Sequence, residues 1–169
     1  IIGLPAHWAP NDLLFYKGNQ FPARYKKGAF IAFHGSTNRA PYPQAGYIVA
    51  FIPFENARQP VISIPTLSGG GGPDGQEKPT DKWEVFADGF AWVDTITNMS
   101  DAKYRPMGLS EGPDGSLYVS DSKKGKIWRI VFKADPTNFG KAQLINMEKR
   151  KSRTYLKTPD EKTDNLSLK

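Results

Sequence analysis

The sequence predicts an all-β protein made of small antiparallel sheets. Short runs rich in Val, Ile, Phe, Tyr and Trp repeat with a period of two residues, which is typical of strands. Turn-forming residues separate these runs, and the chain of 169 residues contains 16 glycines and 14 prolines. No segment shows a convincing helical period. With 38% hydrophobic and 24% charged residues, the composition is that of a globular domain rather than a disordered chain.

Seven strands are predicted, and two of them carry apolar side chains on both faces. In chain order the predicted strands are Asp12–Lys17, Ala29–His34, Gly46–Phe54, Trp83–Gly89, Pro106–Ser110, Ser116–Ser120 and Lys126–Phe132. The segment Ala29–His34 reads Ala-Phe-Ile-Ala-Phe-His, and Tyr47–Phe51 reads Tyr-Ile-Val-Ala-Phe. Such strands are covered on both sides. In an antiparallel protein, small sheets buried on both faces indicate the stacked blades of a β-propeller.

The turns group these strands into about two four-stranded antiparallel blades. Gly112–Gly115 and Ser122–Gly125 each link consecutive strands, as in a meander. Blade one spans about residues 12–89 and blade two about residues 106–144. The whole propeller segment covers residues 1–144, and residues 145–169 form a basic tail or linker. Two blades cannot close a ring, which needs about four to eight. We expect the remaining blades of the same precursor to complete the ring, with copies of this chain as the alternative. We also expect Ile1 to be a processed or internal start.

Charge and composition exclude several classes of function. The chain has 23 basic and 17 acidic residues, and the segment from Lys141 to Lys169 holds eight Lys or Arg against four Asp or Glu. Without a nucleic-acid motif or interleaved aromatic residues, this tail predicts a solvated terminus and no nucleic-acid binding. The glycine-rich stretch Ser68–Gly75 lacks the spacing of a phosphate loop and is predicted to be a surface loop.

The absence of cysteine and of long apolar runs narrows the possibilities further. Because the chain has no cysteine, it contains no disulfide, no zinc-thiolate site and no attachment site for c-type haem. No run approaches the roughly 18 apolar residues of a transmembrane helix, so we expect no membrane span.

Several segments carry a resemblance to one enzyme family. They are Pro5–Pro10, Phe15–Gly18, His34–Arg39, Tyr104–Leu109 and Gly112–Asp121. In order and spacing they resemble the glucose/sorbosone dehydrogenase family, the soluble sugar dehydrogenases that depend on pyrroloquinoline quinone (PQQ), over about Pro5 to Phe132. The resemblance implies the C-terminal part of a six-bladed β-propeller in which hydride passes from a sugar hydroxyl or hemiacetal to the quinone. It also implies a periplasmic or secreted protein.

The resemblance implies which residues of this chain contact the cofactor and the sugar. Arg105 matches a position where the family places a quinone-binding arginine, and Lys103 stands where the family has a second one. Asn38 and Arg39 follow the strand ending at His34, and all three are expected near the quinone. A guanidinium grips a carboxylate with two hydrogen bonds, which suits a tricarboxylated quinone. His7 and Trp8 are expected to line the sugar pocket.

Other features of the family are expected outside this segment. No compact acidic loop with the six to eight oxygen ligands of Ca²⁺ is present, so we predict no metal ligand here and expect the calcium ligands and the catalytic histidine in earlier blades. A cytochrome c electron acceptor is a further candidate partner. Trp83, Trp92 and Trp128 are predicted to pack between blades. The alternatives are a non-catalytic propeller that binds partners and, less favoured, a calcium-dependent sugar lactonase.

Overall fold

The computed structural model describes residues 3–39, 43–56, 59–60, 83–137, 139–140, 142–146 and 149. The first sheet contains five strands: β1 (Pro10–Phe15), β2 (Gly28–Phe33), β3 (Ile48–Asn56), β4 (Gln59–Pro60) and β5 (Glu84–Ala87). β1, β2, β3 and β5 pair in that order as an antiparallel meander, while the short β4 pairs with the far end of β3. This part of the chain therefore forms the four-stranded meander that the sequence predicts, with one small extra strand.

The second sheet contains three strands among the described residues. They are β6 (Pro106–Glu111), β7 (Leu117–Asp121) and β8 (Ile127–Ile130), paired antiparallel in chain order. The prediction of an all-β fold with two antiparallel sheets is confirmed. The predicted fourth strand is not formed in the described residues after β8. There the chain turns at Asp135, whose carboxylate accepts the backbone N–H of Thr137 at 2.9 Å, and residues 142–146 are helical, which the sequence did not predict.

Because neighbouring strands run antiparallel, one end of each sheet holds the first residues of some strands and the last residues of their neighbours. We call this the loop end: β1, β3, β6 and β8 begin there, and β2, β5 and β7 end there. Backbone hydrogen bonds tie its connections together. The N–H of His34 donates to the carbonyl of Ala9 at 2.9 Å, and the N–H of Ser122 donates to that of Arg105 at 3.2 Å. Side chains join the two sheets at this end, where Arg105 donates to the carbonyls of His34 and Gly35.

The hydrophobic core lies on both faces of the first sheet. One cluster includes Phe30, Phe51, Leu117 and Val119, and so lies between the two sheets. A second cluster, which includes Trp8, Ile31 and Trp83, covers the opposite face of the first sheet. All six residues of β2 are buried, which confirms the prediction that this strand is covered on both sides.

Candidate functional site

Arg105 is a buried cation at the loop end, immediately before β6. Only 8% of its surface is exposed. Its Nε donates to the carbonyl of His34 at 3.1 Å, and one terminal nitrogen donates to the carbonyl of Gly35 at 2.7 Å. Among the described residues, no carboxylate lies within ion-pair distance of the guanidinium. A buried charge is costly without a partner of opposite sign, and the oxygen atoms that hold this one are neutral carbonyls.

The guanidinium packs against the aromatic ring of Tyr47, a residue that was not predicted to belong to the site. Its carbon lies 5.5 Å from the ring centroid of Tyr47, within the range of a cation–π contact. The Tyr47 hydroxyl donates to the carbonyl of Ser36 at 2.5 Å, and burial raises the pKa of this phenol. The ring is therefore fixed on one side by a hydrogen bond and on the other by Arg105. Residues 34–36 and Tyr47 from the first sheet, together with the start of β6, hold the cation in place.

Two glycines, Gly35 and Gly46, allow the backbone to lie close to itself and to the ring of Tyr47. Gly35 has a φ of +90°, and a β-carbon there would lie 2.4 Å from the Tyr47 ring. Gly46 has a φ of +92°, and a β-carbon there would lie 2.9 Å from the Cα of Gly35. Only glycine fits a left-handed conformation at such a close approach. The His-Gly-Ser sequence at positions 34–36 therefore has a packing reason for its glycine.

His34 lies beside Arg105 and bonds to a residue of the second sheet. Its Nε2 is 2.7 Å from the hydroxyl oxygen of Ser122, which follows β7. Burial, and then the positive charge of Arg105, lower the pKa of the His34 imidazole. The ring is therefore neutral at pH 7 and carries one donor and one acceptor nitrogen. Among the described residues its Nδ1 has no hydrogen-bond partner.

Asp121 fixes the turn on which Ser122 stands. Its carboxylate accepts the backbone N–H of Arg105 at 2.6 Å, of Lys123 at 3.1 Å and of Lys124 at 2.5 Å. Burial opposes its ionisation, but these backbone N–H groups outweigh burial and hold the pKa of Asp121 below its usual range. The side chain is thus committed to the turn, a common role for an aspartate that follows a strand.

The other predicted cofactor residues lie around this centre but do not share its contacts. Arg39 is half-buried, and one terminal nitrogen donates to the carbonyl of Pro43 at 2.9 Å. Asn38 is exposed. The ammonium group of Lys103 lies 4.3 Å from the ring centroid of Trp92. Of the predicted set, the structure brings together only Arg105 and His34.

The two residues predicted to line the sugar pocket have different environments. His7 is exposed at the loop end and has a φ of +64°. Trp8 is only 1% exposed and packs edge-on against Phe33 and Trp83. Its side chain therefore belongs to the core cluster on the outer face of the first sheet. Of the two, only the His7 side chain is exposed, and the predicted contacts of both with the sugar stay predictions.

The structure adds three residues that the sequence analysis did not assign to the site. Tyr47 and Ser122 contact Arg105 and His34, respectively, from distant positions in the chain. Trp92 is 68% exposed and does not pack between the sheets, contrary to the prediction, whereas Trp83 is buried and Trp128 packs against Phe90 and Tyr104. Gly46 and Tyr47 also follow the family resemblance, but the sequence assigned no site role to Tyr47 or Ser122, because their roles depend on contacts across the fold.

Neither a metal centre nor a membrane helix is found in the described part of the chain. Within the described ranges, no group of three or more His, Cys, Asp or Glu side chains is arranged to hold a metal ion. The same residues contain no helix of sufficient length and apolarity to span a bilayer. The glycine-rich stretch Ser68–Gly75 and almost all of the tail 145–169 lie outside the described residues.

Comparison with known proteins identifies relatives of this chain. A PQQ-dependent pyranose dehydrogenase from Coprinopsis cinerea is 30% identical over 147 residues, covering 79% of this chain and 16% of that protein. An uncharacterized protein from Borreliella burgdorferi is 29% identical over 133 residues, covering 78% of this chain and 28% of that protein. A calcium structure of a Trichoderma reesei enzyme of Carbohydrate-Active Enzymes Family AA12 aligns with a TM-score of 0.48 at 24% identity, covering 72% and 24% of the two chains.

This chain spans less than a third of the length of each of these proteins. The profile of the TrAA12-like family matches residues 1–133, which is most of the chain. The chain therefore belongs to the TrAA12-like family.

Proposed function

We propose that this chain forms part of a PQQ-dependent sugar dehydrogenase and that Arg105 binds a carboxylate of the quinone. The observation that carries the proposal is a buried guanidinium with no carboxylate partner among the described residues, positioned at the loop end by two carbonyls. The similarity to the Coprinopsis pyranose dehydrogenase supports the choice of ligand. The predicted place of this segment in the C-terminal part of a six-bladed propeller belongs to the same proposal.

The described residues fit a carboxylated quinone. A guanidinium has five N–H groups, and two of those on Arg105 donate to the carbonyls of His34 and Gly35. A third donates to the sulfur of Met99 at 3.9 Å. The remaining N–H groups are available to a carboxylate, and ionic hydrogen bonds of this kind are stronger than neutral ones. Tyr47 supports the guanidinium from the side. The anion that compensates the buried charge is therefore best supplied by a ligand.

Neighbouring residues of the chain complete the proposed cradle. The bound quinone accepts hydride from a sugar hydroxyl or hemiacetal. His34, kept neutral by burial and by Arg105, offers its Nδ1 to a ligand while Ser122 holds its Nε2. His7, exposed at the same end, is a candidate for contact with the sugar. Calcium ligands and the catalytic histidine are proposed to lie in the remainder of a longer protein, and the contacts predicted for Asn38 and Arg39 remain predictions.

The test is titration of the chain with PQQ in the presence of Ca²⁺, followed by the quinone absorbance and by calorimetry. We expect saturable binding that weakens about 30-fold or more in Arg105→Ala, because removing one partner of a buried ionic hydrogen bond costs about 2 kcal/mol or more. Arg105→Lys keeps the charge but loses the fork geometry, so it should show an intermediate loss. Circular dichroism of each variant verifies the fold.

Arg129→Ala is the matched control. Arg129 is an exposed arginine on β8 that pairs with Asp114, so its loss should leave quinone affinity within about twofold. Equal losses in the two alanine variants would contradict the proposal. So would a wild-type chain that fails to bind the quinone both by itself and when combined with the remaining part of a full-length relative. Bleaching of the bound quinone by aldoses supports catalysis, whereas binding without bleaching in a complete protein favours the alternative of a non-catalytic module.

A further inference from the structure

Trp92 is a large apolar side chain held outward by an ordered connection at the loop end. Its surface is 68% exposed, and its φ is +64°, a conformation that bulky residues rarely adopt. The adjacent residues Phe90 and Ala91 are buried, and their carbonyls accept the backbone N–H groups of Tyr104 at 3.2 Å and of Lys103 at 2.9 Å. The exposed indole therefore stands on a tethered backbone, and its strained φ is maintained by the surrounding packing.

Two lysine ammonium groups lie against the pair of aromatic rings formed by Trp92 and Tyr104. The ammonium of Lys103 lies 4.3 Å from the ring centroid of Trp92 and 5.5 Å from that of Tyr104. The ammonium of Lys126 lies 5.6 Å from the Tyr104 ring, and Trp92 meets that ring edge-on at 6.1 Å. Neither lysine has a carboxylate within ion-pair distance in the described ranges. This surface thus combines an exposed ring with two cations that lack acidic partners.

We infer that Trp92, Lys103 and Lys126 form a subsite for an acidic sugar, a hexuronate ring within an oligosaccharide. The apolar face of a pyranose stacks on an indole, and an exposed aromatic side chain on a rigid support is the feature required. A hexuronate adds one carboxylate, which the two ammonium groups attract. A neutral sugar makes no use of that charge. The choice of a sugar as ligand rests on the proposed function, while the charge and the exposed ring are independent of it.

This subsite is distinct from the position proposed for the quinone. The guanidinium of Arg105 contacts Tyr47 and the carbonyls of residues 34 and 35, whereas Lys103 contacts Trp92 and Tyr104. Both lie on the loop end, so a sugar held at Trp92 is on the same surface as Arg105. This inference gives Lys103 a sugar ligand in place of the cofactor contact predicted from the sequence.

The experiment is calorimetric titration of the chain with α-1,4-linked trigalacturonate and with maltotriose, its neutral counterpart. We expect saturable binding of trigalacturonate that weakens with added salt, and at least about tenfold weaker binding of maltotriose. Trp92→Ala should weaken binding about tenfold or more, and Trp92→Phe should stay within about threefold because it keeps an aromatic face. Trp92 is far more exposed than Trp8 and Trp83, so a change in tryptophan emission on binding provides a second readout.

Lysine variants test the charge. Lys103→Gln and Lys126→Gln should each weaken trigalacturonate binding about three- to fivefold, whereas Lys133→Gln, an exposed lysine after β8 at the opposite end, should have no effect. Equal affinity for the two trisaccharides, no binding of either, or unchanged affinity in Trp92→Ala would overturn the inference.

Arg105→Lys separates this inference from the proposed function. It should weaken quinone binding while leaving trigalacturonate affinity within about twofold. If wild type binds trigalacturonate but not the quinone, the proposed function fails and the subsite stands. If the quinone displaces trigalacturonate and Arg105→Lys weakens both ligands equally, Trp92 belongs to the quinone site and the inference is wrong.

Discussion

The Arg105 guanidinium can occupy its position only because residue 35 is a glycine and has no side chain. The carbonyl of Gly35 accepts one of the two hydrogen bonds that hold Arg105, while its Cα faces the ring of Tyr47. A larger residue would push the ring away from the guanidinium and would also have to adopt a left-handed backbone. A single glycine therefore determines both the path of the connection after β2 and the support of the buried cation.

Gly35→Ala should lower the free energy of unfolding by about 3 kcal/mol or more, because left-handed strain costs about 1–2 kcal/mol and overpacking adds a similar amount. Gly89→Ala is the matched control, since Gly89 also has a positive φ, +85°, but a β-carbon there meets nothing within 4 Å. It should lose only about 1–2 kcal/mol. Chemical denaturation measures both, and equal losses would show that the contact with Tyr47 is not restrictive.

At the scale of elements, Asp121 links the end of β7 to the start of β6. Its carboxylate holds the N–H of Arg105 and two N–H groups of the following turn, and its own N–H donates to the carbonyl of Lys126 at 2.8 Å. The turn that carries Ser122 is thereby attached to the backbone of Arg105. The relative position of His34, Ser122 and Arg105 is consequently a property of three strands, β2, β6 and β7, and their connections.

Asp121→Ala should lower the free energy of unfolding by about 2 kcal/mol at pH 7, because it leaves several backbone N–H groups without their charged acceptor. Since the folded-state pKa of Asp121 is depressed, this stabilisation is complete above the unfolded-state pKa of about 3.9 and is lost as the pH falls toward the folded-state value. The difference between wild type and variant should therefore shrink below about pH 4.

Asp135→Ala serves as the control for this prediction. The exposed Asp135 carboxylate bonds only within its own turn, to the N–H and hydroxyl of Thr137, and its loss should change stability by less than about 0.5 kcal/mol. Thermal and urea unfolding at pH 7 and pH 3.5 would measure both variants. A loss for Asp121→Ala that does not depend on pH would show that the charge of the carboxylate is not what holds the turn.

The elements were more predictable from the sequence than the contacts between them. Period-two patterns located seven strands to within a few residues, because alternation follows directly from burial on a pleated sheet. The pattern also placed Arg105 before a strand and His34 at the end of another. It gave Tyr47 no role in the site and left Trp92 assigned to packing, while the family resemblance assigned Trp8 to a pocket. Composition alone does not reveal which way an aromatic side chain turns when its loop has positive φ values.

At the scale of the whole molecule, the two sheets share one core and are connected at both ends. At the loop end Arg105 joins the sheets through the carbonyls of His34 and Gly35. At the opposite end the hydroxyl of Tyr16 donates to the carbonyl of Gly115 at 2.6 Å and accepts the N–H groups of Gln20 and Phe21 at 3.1 and 3.2 Å. The shared cluster of buried aromatic residues lies between these connections. We therefore expect the sheets to unfold together.

Tyr16→Phe tests this coupling, because it removes one buried oxygen that serves three backbone groups and leaves the ring in the core. The variant should lose about 2 kcal/mol of stability. Tyr118 is a half-buried tyrosine whose hydroxyl has no hydrogen bond to the described residues, so Tyr118→Phe should lose less than about 0.5 kcal/mol. Circular dichroism and tryptophan fluorescence should report coincident urea transitions for wild type and both variants, since the two signals sample the same cooperative unit. Separate transitions in wild type would show that each sheet is stable by itself. A single transition in wild type that splits in Tyr16→Phe would instead show that this connection, rather than the shared core, makes the unfolding cooperative.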